Sequence, residues 1–390
     1  MLIQAELYGN ERAFTAFHTV GPETDLQALN LNWRESDLPQ RERTKHVHGL
    51  HPYLGKFIPQ LVEIFLRKYA RRAVLDPFAG SGTTLVEANA LGLAAYGCDI
   101  SYFNCLLTRV KTGKHDLGLL ERELRDILVR TELKAFAARA RRAEPGVTGY
   151  LAEWYAPEAR TELLAYRELI PEYEHREVLQ VVLSRAARSA RLTTHFELDF
   201  PKEPQREPYY CRKHHRICQP TTRALPFLKR YTYDTLARLR EFAAVRTDAP
   251  VEVFWGDARE VPFPAHDTVI TSPPYLGLID YHEQHRYAYE LLGLPELRDK
   301  EIGRPEKGNG VQAAREYYEG IKAVFANVAR SLEAGGHVVI VVHDRGEMYV
   351  QMARELGFVV EAVLERHVNR RTGRRSGEFF ERVYVWRKEG

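Results

Sequence analysis

Ala73-Val-Leu-Asp-Pro-Phe-Ala-Gly-Ser-Gly-Thr-Thr84, running on into Leu85-Val-Glu-Ala-Asn-Ala-Leu91, decides how this chain folds. Ala73 to Leu75 is a short apolar run that ends in an acid, so it reads as a buried strand. Gly80 and Gly82 let the backbone approach a ligand closely, and Thr83 and Thr84 stand where a helix starts. The third glycine of the dinucleotide fingerprint is missing, and no Gly-Lys-Ser/Thr follows, which excludes a Walker A loop. Ala94-Ala-Tyr-Gly-Cys-Asp99 reads as a second strand whose terminal acid lies 23 positions after Asp76. A carboxylate at that place grips ribose hydroxyls in nucleotide-binding sheets. Taken alone, these residues predict a generic nucleotide-type βαβ unit.

A second strand end carries chemistry. Thr268 to Thr271 is β-branched and apolar, and Ser272-Pro-Pro-Tyr275 follows it directly. The two prolines lack N–H groups and stiffen the turn, and Pro274 keeps Pro273 out of the α region. The carbonyls of such a turn accept hydrogen bonds from an NH2 group. Tyr275 offers a face on which a base can stack. The structural alternative is a strand-ending Pro-Pro turn with a packing tyrosine.

Asp76-Pro-Phe-Ala-Gly-Ser-Gly-Thr-Thr84 with Ser272-Pro-Pro-Tyr275 resembles the S-adenosylmethionine-dependent amino-methyltransferases of DNA, most of all the N4-cytosine group. The resemblance covers residues 45–105 and 250–345. It implies S-adenosyl-L-methionine as cofactor, held by Asp76, Phe78, Ala79, Gly80, Gly82, Thr83, Thr84, Asp99 and Ile100. Asp257 and Ala258 sit where that family has an acid after its third strand, near the adenine. His51-Pro-Tyr-Leu-Gly-Lys-Phe-Ile-Pro59 is similar to the segment that closes over the methionine end, which adds Lys56 and Phe57. Catalysis falls to Ser272, Pro273, Pro274 and Tyr275, with Asp280 helping to hold the base. The expected partner is double-stranded DNA, and a cognate restriction endonuclease is a further possible partner.

The chemistry follows from the substrate. An exocyclic amine has its lone pair delocalised into the ring and is a poor nucleophile. Carbonyls of Ser272 and Pro273, or the Ser272 hydroxyl, accepting its N–H groups turn that lone pair toward the methyl. Direct transfer then needs positioning and electrostatics more than acid–base catalysis. Methylation at cytosine C5 needs a cysteine nucleophile, typically after proline. Cys98, Cys105, Cys211 and Cys218 follow Gly, Asn, Tyr and Ile, so that route is disfavoured.

Serine at the head of the tetrapeptide resembles the N4-cytosine members, whereas the adenine-N6 members more often begin with Asp or Asn. Adenine N6 stays open as an alternative, as does guanine N2 in RNA, whose enzymes share a D-P-F-x-G-x-G-T start. Those carry Asp-Pro-Pro-Tyr and an added RNA-binding module, and only 44 unassigned residues precede Lys45 here. A binding-only partner subunit would have no need for Gly80, Gly82, Asp99 and the Ser-Pro-Pro-Tyr turn together.

At 390 residues and a net charge of +3, the chain has room for a large core plus an insertion, and any nucleic-acid surface is local. No 18-residue apolar run or signal-peptide pattern appears, and four cysteines make no disulfide framework. A cytoplasmic protein is expected. Residues 1–44 read as an arm or cap, and 45–115 with 251–390 as the catalytic domain. Residues 116–250 read as a helical insertion for target recognition. The order of elements predicts an open α/β sheet, mostly parallel with a last antiparallel strand, and the resemblance implies that this is the Rossmann-like sheet of class I methyltransferases. Asp76, Asp99, Asp257 and Ser272 all fall at strand ends, where such sheets bind ligands.

Between Pro201 and Pro250, Lys and Arg outnumber Asp and Glu by 11 to 5. Basic groups neutralise phosphate and aromatics stack on bases. Arg212, Lys213, His214 and Arg216 are therefore candidate DNA contacts. Arg370, Arg371, Arg374 and Arg375 at a second basic turn are others. Arg185, Arg188 and Arg191 share one helical face upstream. Cys211-Arg-Lys-His-His-Arg-Ile-Cys218 raises the question of zinc, but the C-x6-C spacing is not a usual knuckle and four ligands are needed. No metal is expected.

Overall fold

The computed structural model describes residues 2–3, 13–141, 148–198, 200–277, 280–304, 306, 308, 310–344, 346–368 and 379–390. Its strands are β1 (Leu2–Ile3), β2 (Ala73–Asp76), β3 (Ala94–Asp99), β4 (Tyr209–Cys211), β5 (Arg216–Cys218), β6 (Val251–Trp255), β7 (His266–Thr271), β8 (Leu332–Val342), β9 (Phe358–His367) and β10 (Phe380–Lys388). Eight of them form one sheet in the order β1-β9-β10-β8-β7-β2-β3-β6, and β4 with β5 makes a separate antiparallel hairpin. Strands β6, β3, β2, β7 and β8 are parallel neighbours, while β10 runs antiparallel to both β8 and β9. This is the expected Rossmann-like methyltransferase sheet with its reversed last strand.

The sheet is covered on both faces, which is why its central strands are apolar throughout. Alternate residues of each strand enter opposite cores. Val74, Ile270, Val339 and Val341 face the helix Pro59–Tyr69, through Leu61, Ile64 and Phe65. Leu75, Val269, Val338 and Ile340 face the other way, toward Tyr317, Ile321, Phe325, Tyr349 and Met352. Phe14, Val20, Leu29, Leu31 and Trp33 join the first core, so residues 14–33 are an integral part of it.

From the sequence, Gly335-Gly336 reads as the end of a helix running from about Ala313 to Leu332, with a buried strand starting at His337. The helix Val311–Ser331 passes straight into β8 at Leu332, ahead of Gly335-Gly336. Gly335 has φ +72°, and a Cβ on Gly336 would lie 2.8 Å from the Asp267 carbonyl oxygen. The glycines let β8 hug β7 through a register shift between His266 and Thr268, rather than ending the helix.

The chain divides into two compact units. The first holds residues 1–112, 245–280 and 297–390, and contains the large sheet. The second holds residues 113–244 together with 281–296, a stretch expected from the sequence to belong to the catalytic domain. Its long helices are Leu117–Ala140, Pro157–Leu169, Arg176–Ala190 and Leu225–Ala243. Asp116 caps the first by accepting from the Gly118 and Leu119 N–H groups at 2.9 Å each. Fully buried Glu162 caps the last, accepting from Ala224 N at 2.6 Å and Leu225 N at 2.8 Å.

Candidate active site

Sheet order reverses between β2 and β7, so the crevice beyond their carboxyl ends is where an open α/β sheet takes its ligand. Both strand ends are tied together. The Thr271 hydroxyl donates to Asp76 Oδ1 at 2.6 Å, and the Phe78 N–H donates to the same oxygen at 3.1 Å. Asp76 is buried, and burial pushes its carboxyl up to about 6 against the pull of these donors. It thus joins the glycine turn to the end of β7.

The turn itself is built on left-handed backbone. Gly80 has φ +50° and Gly82 has φ +77°. A Cβ on Gly80 would sit 2.9 Å from the Tyr53 hydroxyl, and one on Gly82 would sit 2.6 Å from Thr108 Cγ2. Ala79 is buried, Thr83 opens the helix Thr83–Ala90, and Thr84 donates to the Ile270 carbonyl at 3.2 Å. Buried Lys111 donates to the Ser81 carbonyl at 2.6 Å, holding the loop from behind.

Asp99 lies opposite the turn. Its Oδ2 accepts from the Gly80 N–H at 2.7 Å, and its Oδ1 accepts from Ser101 N at 2.8 Å and Asn104 Nδ2 at 3.0 Å. Burial raises its carboxyl above the usual range, and these three donors counter it. A carboxylate has about four lone-pair sites, so capacity is left for a ribose hydroxyl. The left-handed backbone at Gly80 and this spare acceptor fit the nucleoside part of S-adenosylmethionine.

The remaining expected cofactor residues are spread around this turn. Asp257 meets the Arg259 guanidinium through Nε at 2.8 and 3.0 Å. Burial alone would raise the Asp257 carboxyl, but Arg259 holds it below the ordinary range. Ala258 beside it is buried, and the Ile100 carbonyl accepts from Trp255 Nε1 at 3.1 Å. Lys56 donates to the His48 carbonyl at 2.7 Å, and Phe57 packs in the first core. That segment is anchored from below by Glu87, which meets His48 Nε2 at 2.6 Å and Lys45 Nζ at 2.9 Å.

Ser272-Pro-Pro-Tyr275 leaves the end of β7 as non-helical, non-strand backbone. The Tyr317 hydroxyl donates to the Pro274 carbonyl at 2.8 Å. That leaves the Ser272 and Pro273 carbonyls outside this bond. Tyr275 donates to Glu381 Oε1 at 2.8 Å, and burial drives its phenol well above the ordinary range. Asp280 is paired with Arg298. Tyr53, Glu381, Tyr317 and Lys111 are not evident from the sequence, since no local motif marks a residue that acts across the sheet.

In the second unit, Arg212, Lys213, His214 and Arg216 are exposed around the tip of the β4–β5 hairpin. His214 Nδ1 lies 3.6 Å from Cys211 Sγ and 3.4 Å from Cys218 Sγ. Two of the three helical arginines are buried and structural. Arg185 binds Thr235 at 2.7 Å, and its guanidinium lies 4.4 Å from the Tyr231 ring centroid. Arg191 sits over Tyr287 and reaches the Tyr150 hydroxyl at 3.3 Å. A planar guanidinium that stacks on aromatics is buried more readily than an ammonium, and an arginine-rich helix can therefore be a packing face. Arg370, Arg371, Arg374 and Arg375 lie outside the described residues.

A family profile described as DNA methylase matches residues 18–108. The chain is 35% identical over 435 residues to the Type II methyltransferase M.MjaII of Methanocaldococcus jannaschii, across 90% of this chain and 82% of that one. It is 36% identical over 85 residues to the Type II methyltransferase M.MvaI of Kocuria varians, across 20% of this chain and 19% of that one. Among solved structures, the rRNA methyltransferase aviRa from Streptomyces viridochromogenes aligns with 86% of this chain and 88% of its own at 13% identity. The TM-score is 0.32, too slight a likeness to argue from.

Proposed function

This chain belongs to the DNA amino-methyltransferase family, and from that premise we propose that it methylates N4 of cytosine in double-stranded DNA. Its cofactor is S-adenosylmethionine, which supplies an electrophilic methyl group on a sulfonium. The observation that carries the proposal is the Thr271 hydroxyl on Asp76, 2.6 Å apart, because it sets the Ser272-Pro273-Pro274-Tyr275 turn beside the glycine turn.

The residues of the turn divide the work. With the Pro274 carbonyl engaged by Tyr317, the Ser272 and Pro273 carbonyls, or the Ser272 hydroxyl in place of one of them, accept the two amine N–H groups. The nitrogen lone pair then points at the methyl. S-adenosylmethionine bound there would supply the methyl, a C–N bond forming as the S–C bond breaks to leave the neutral thioether, and the proton shed by the amine would pass to solvent water. Tyr275, with its hydroxyl held on Glu381, presents its ring to the base. An amine buried in a duplex is out of reach of such a turn, so the base is flipped out of the stack. Asp280, braced by Arg298, helps to hold it.

A covalent C5 route lacks a nucleophile in the site. Burial drives the Cys98 and Cys105 thiols far up, and Cys211 and Cys218 belong to the hairpin. Serine rather than an acid at the head of the turn favours cytosine over adenine. Arg212, Lys213 and Arg216 contact phosphate from the hairpin tip. The Type II designation of the relatives supports a restriction–modification setting with a cognate endonuclease.

Incubating the chain with S-adenosylmethionine and duplex DNA, then digesting to nucleosides for mass spectrometry, tests the reading. N4-methylcytosine is the expected product. N6-methyladenine or C5-methylcytosine would overturn the base assignment, and methylation confined to RNA would overturn the substrate.

A further inference from the structure

We propose that His195, Cys211, His214 and Cys218 form a closed four-ligand zinc site in the second unit. The grouping does not depend on which base is methylated. Cys211 ends β4 and Cys218 ends β5, and the turn between them puts His215 at φ +51°. In this hairpin the polarity is inverted. Tyr210 and Ile217 are each 60% exposed, whereas Cys211 and Cys218 are 2% and 7% exposed. The hairpin turns its large apolar side chains to water and its thiols inward.

The distances match a metal tetrahedron. Zinc bonds of about 2.3 Å to sulfur and about 2.0–2.1 Å to nitrogen give a tetrahedral sulfur–nitrogen edge of about 3.6 Å. Cys211 Sγ lies 3.6 Å from both His195 Nδ1 and His214 Nδ1, and His214 Nδ1 lies 3.4 Å from Cys218 Sγ. One ligand atom from each of the four residues falls within 4.8 Å of all the others. The fourth ligand that the hairpin alone lacks is His195, 16 positions upstream of Cys211. The turn itself contributes Cys211 and His214, three positions apart, and Cys218 four positions further on.

The donor set selects the ion. Two soft thiolates and two imidazoles suit zinc rather than magnesium or calcium, and four protein ligands leave no open position for catalysis. Binding replaces two thiol protons with one zinc ion and releases both protons to solvent. One competitor is present: the Tyr209 hydroxyl lies 2.8 Å from His195 Nδ1. When zinc takes that lone pair, the phenol keeps its bond to the His195 N–H, 3.0 Å away, as acceptor. The role is structural. An isolated two-stranded hairpin is marginal in water, and the described residues between Thr193 and Pro208 contain no helix or strand. Zinc staples that segment to the hairpin which carries Arg212, Lys213 and Arg216.

Elemental analysis of the full chain, purified without chelator, tests the proposal. One zinc per chain is expected, and cobalt exchange should give thiolate charge-transfer and tetrahedral ligand-field bands. Cys211→Ser and His195→Ala should lose most of the metal, whereas His215→Ala, the neighbouring histidine, should keep it. His214→Cys should retain zinc and strengthen the charge-transfer band, which separates ligation from mere misfolding of the hairpin. A metal-free chain after exposure to zinc, full zinc in Cys211→Ser, or a Cys211–Cys218 disulfide that persists in protein purified under reducing conditions would overturn the proposal.

Discussion

The phenol of Tyr275 donates to Oε1 of Glu381 across 106 positions of chain, at 2.8 Å. The other carboxylate oxygen of Glu381 accepts from Arg366 Nε at 2.9 Å and Nη2 at 2.7 Å. Arg366 is on β9 and Glu381 on β10, so the reversed last strand reaches back and clamps the tyrosine that follows β7. On the proposed reading this ring stacks on the base, and a ring fixed in advance has less ordering left to lose on binding.

Tyr275→Ala should therefore lose base stacking worth about 1–3 kcal/mol, roughly a 5- to 150-fold fall in turnover. Tyr275→Phe keeps the ring and loses only the tether, so it should fall less. Single-turnover methylation of duplex DNA by the two variants gives the comparison. Equal losses in both would mean that the hydroxyl, not the face, is what the reaction uses.

Asp99→Asn keeps the shape of the side chain but not its charge. A hydrogen bond to a charged acceptor contributes about 1.5–3 kcal/mol, so cofactor affinity should drop roughly 10- to 150-fold. The Ala variant also releases the Gly80, Ser101 and Asn104 donors and should bind more weakly still. Calorimetric titration with S-adenosylmethionine reads both. Unchanged affinity in the Asn variant would remove Asp99 from the ribose site.

Reversing the charge of Arg212, Lys213 and Arg216 together should weaken DNA binding without changing cofactor affinity. Each phosphate contact contributes about 0.9 to the slope of log affinity against log salt, so the slope should flatten by as much as about 3. A slope equal to that of the unaltered chain would show that these residues do not touch the backbone.

Asp76 makes stability depend on pH in a defined sense. Its carboxyl is raised from 3.8 to about 6, chiefly by burial, so the folded state holds the proton longer than the unfolded state. Stability from this group is full below about pH 4 and is lost as pH rises through about 6, by on the order of 3 kcal/mol. Subtracting the urea-unfolding free energy of Asp76→Asn from that of the unaltered chain at each pH isolates the effect. The difference should fall between pH 4 and 6 and then level off. A flat difference would show that Asp76 titrates normally.

The sheet was legible because its strands announce themselves locally. Ala73–Asp76, Ala94–Asp99 and His266–Thr271 stand where the sequence places them, since apolar β-branched runs between turn residues have few other uses. The glycine turn and Ser272-Pro-Pro-Tyr275 could be placed at strand ends for a similar reason: each is a run of particular residues next to an apolar strand. Glu381 was not legible, because Tyr275 lies 106 positions away and no spacing rule links them, and His195 was not, because 16 positions before Cys211 is no usual ligand spacing. Arginine patterning misled in the opposite direction. Arg185 and Arg191 have the periodicity of a phosphate-binding face, yet their guanidinium groups spend it on Tyr231 and Tyr287. Charge counts do not separate those two fates.

The way the chain visits its second unit twice bears on how it is made. The helix Arg286–Leu292 buries Tyr287, Ala288, Tyr289 and Leu291 within that unit, whose other residues end at Ala244. During synthesis, those residues emerge from the ribosome without the helix that finishes their core. They stay in that condition until the strand of the catalytic turn has also been made. The first unit in turn lacks β8, β9 and β10 until the very end. Domains are commonly completed one after another, the N-terminal one first. Here neither can be, and a nascent chain stalled after Asp280 holds two open cores rather than one finished domain and one unfinished.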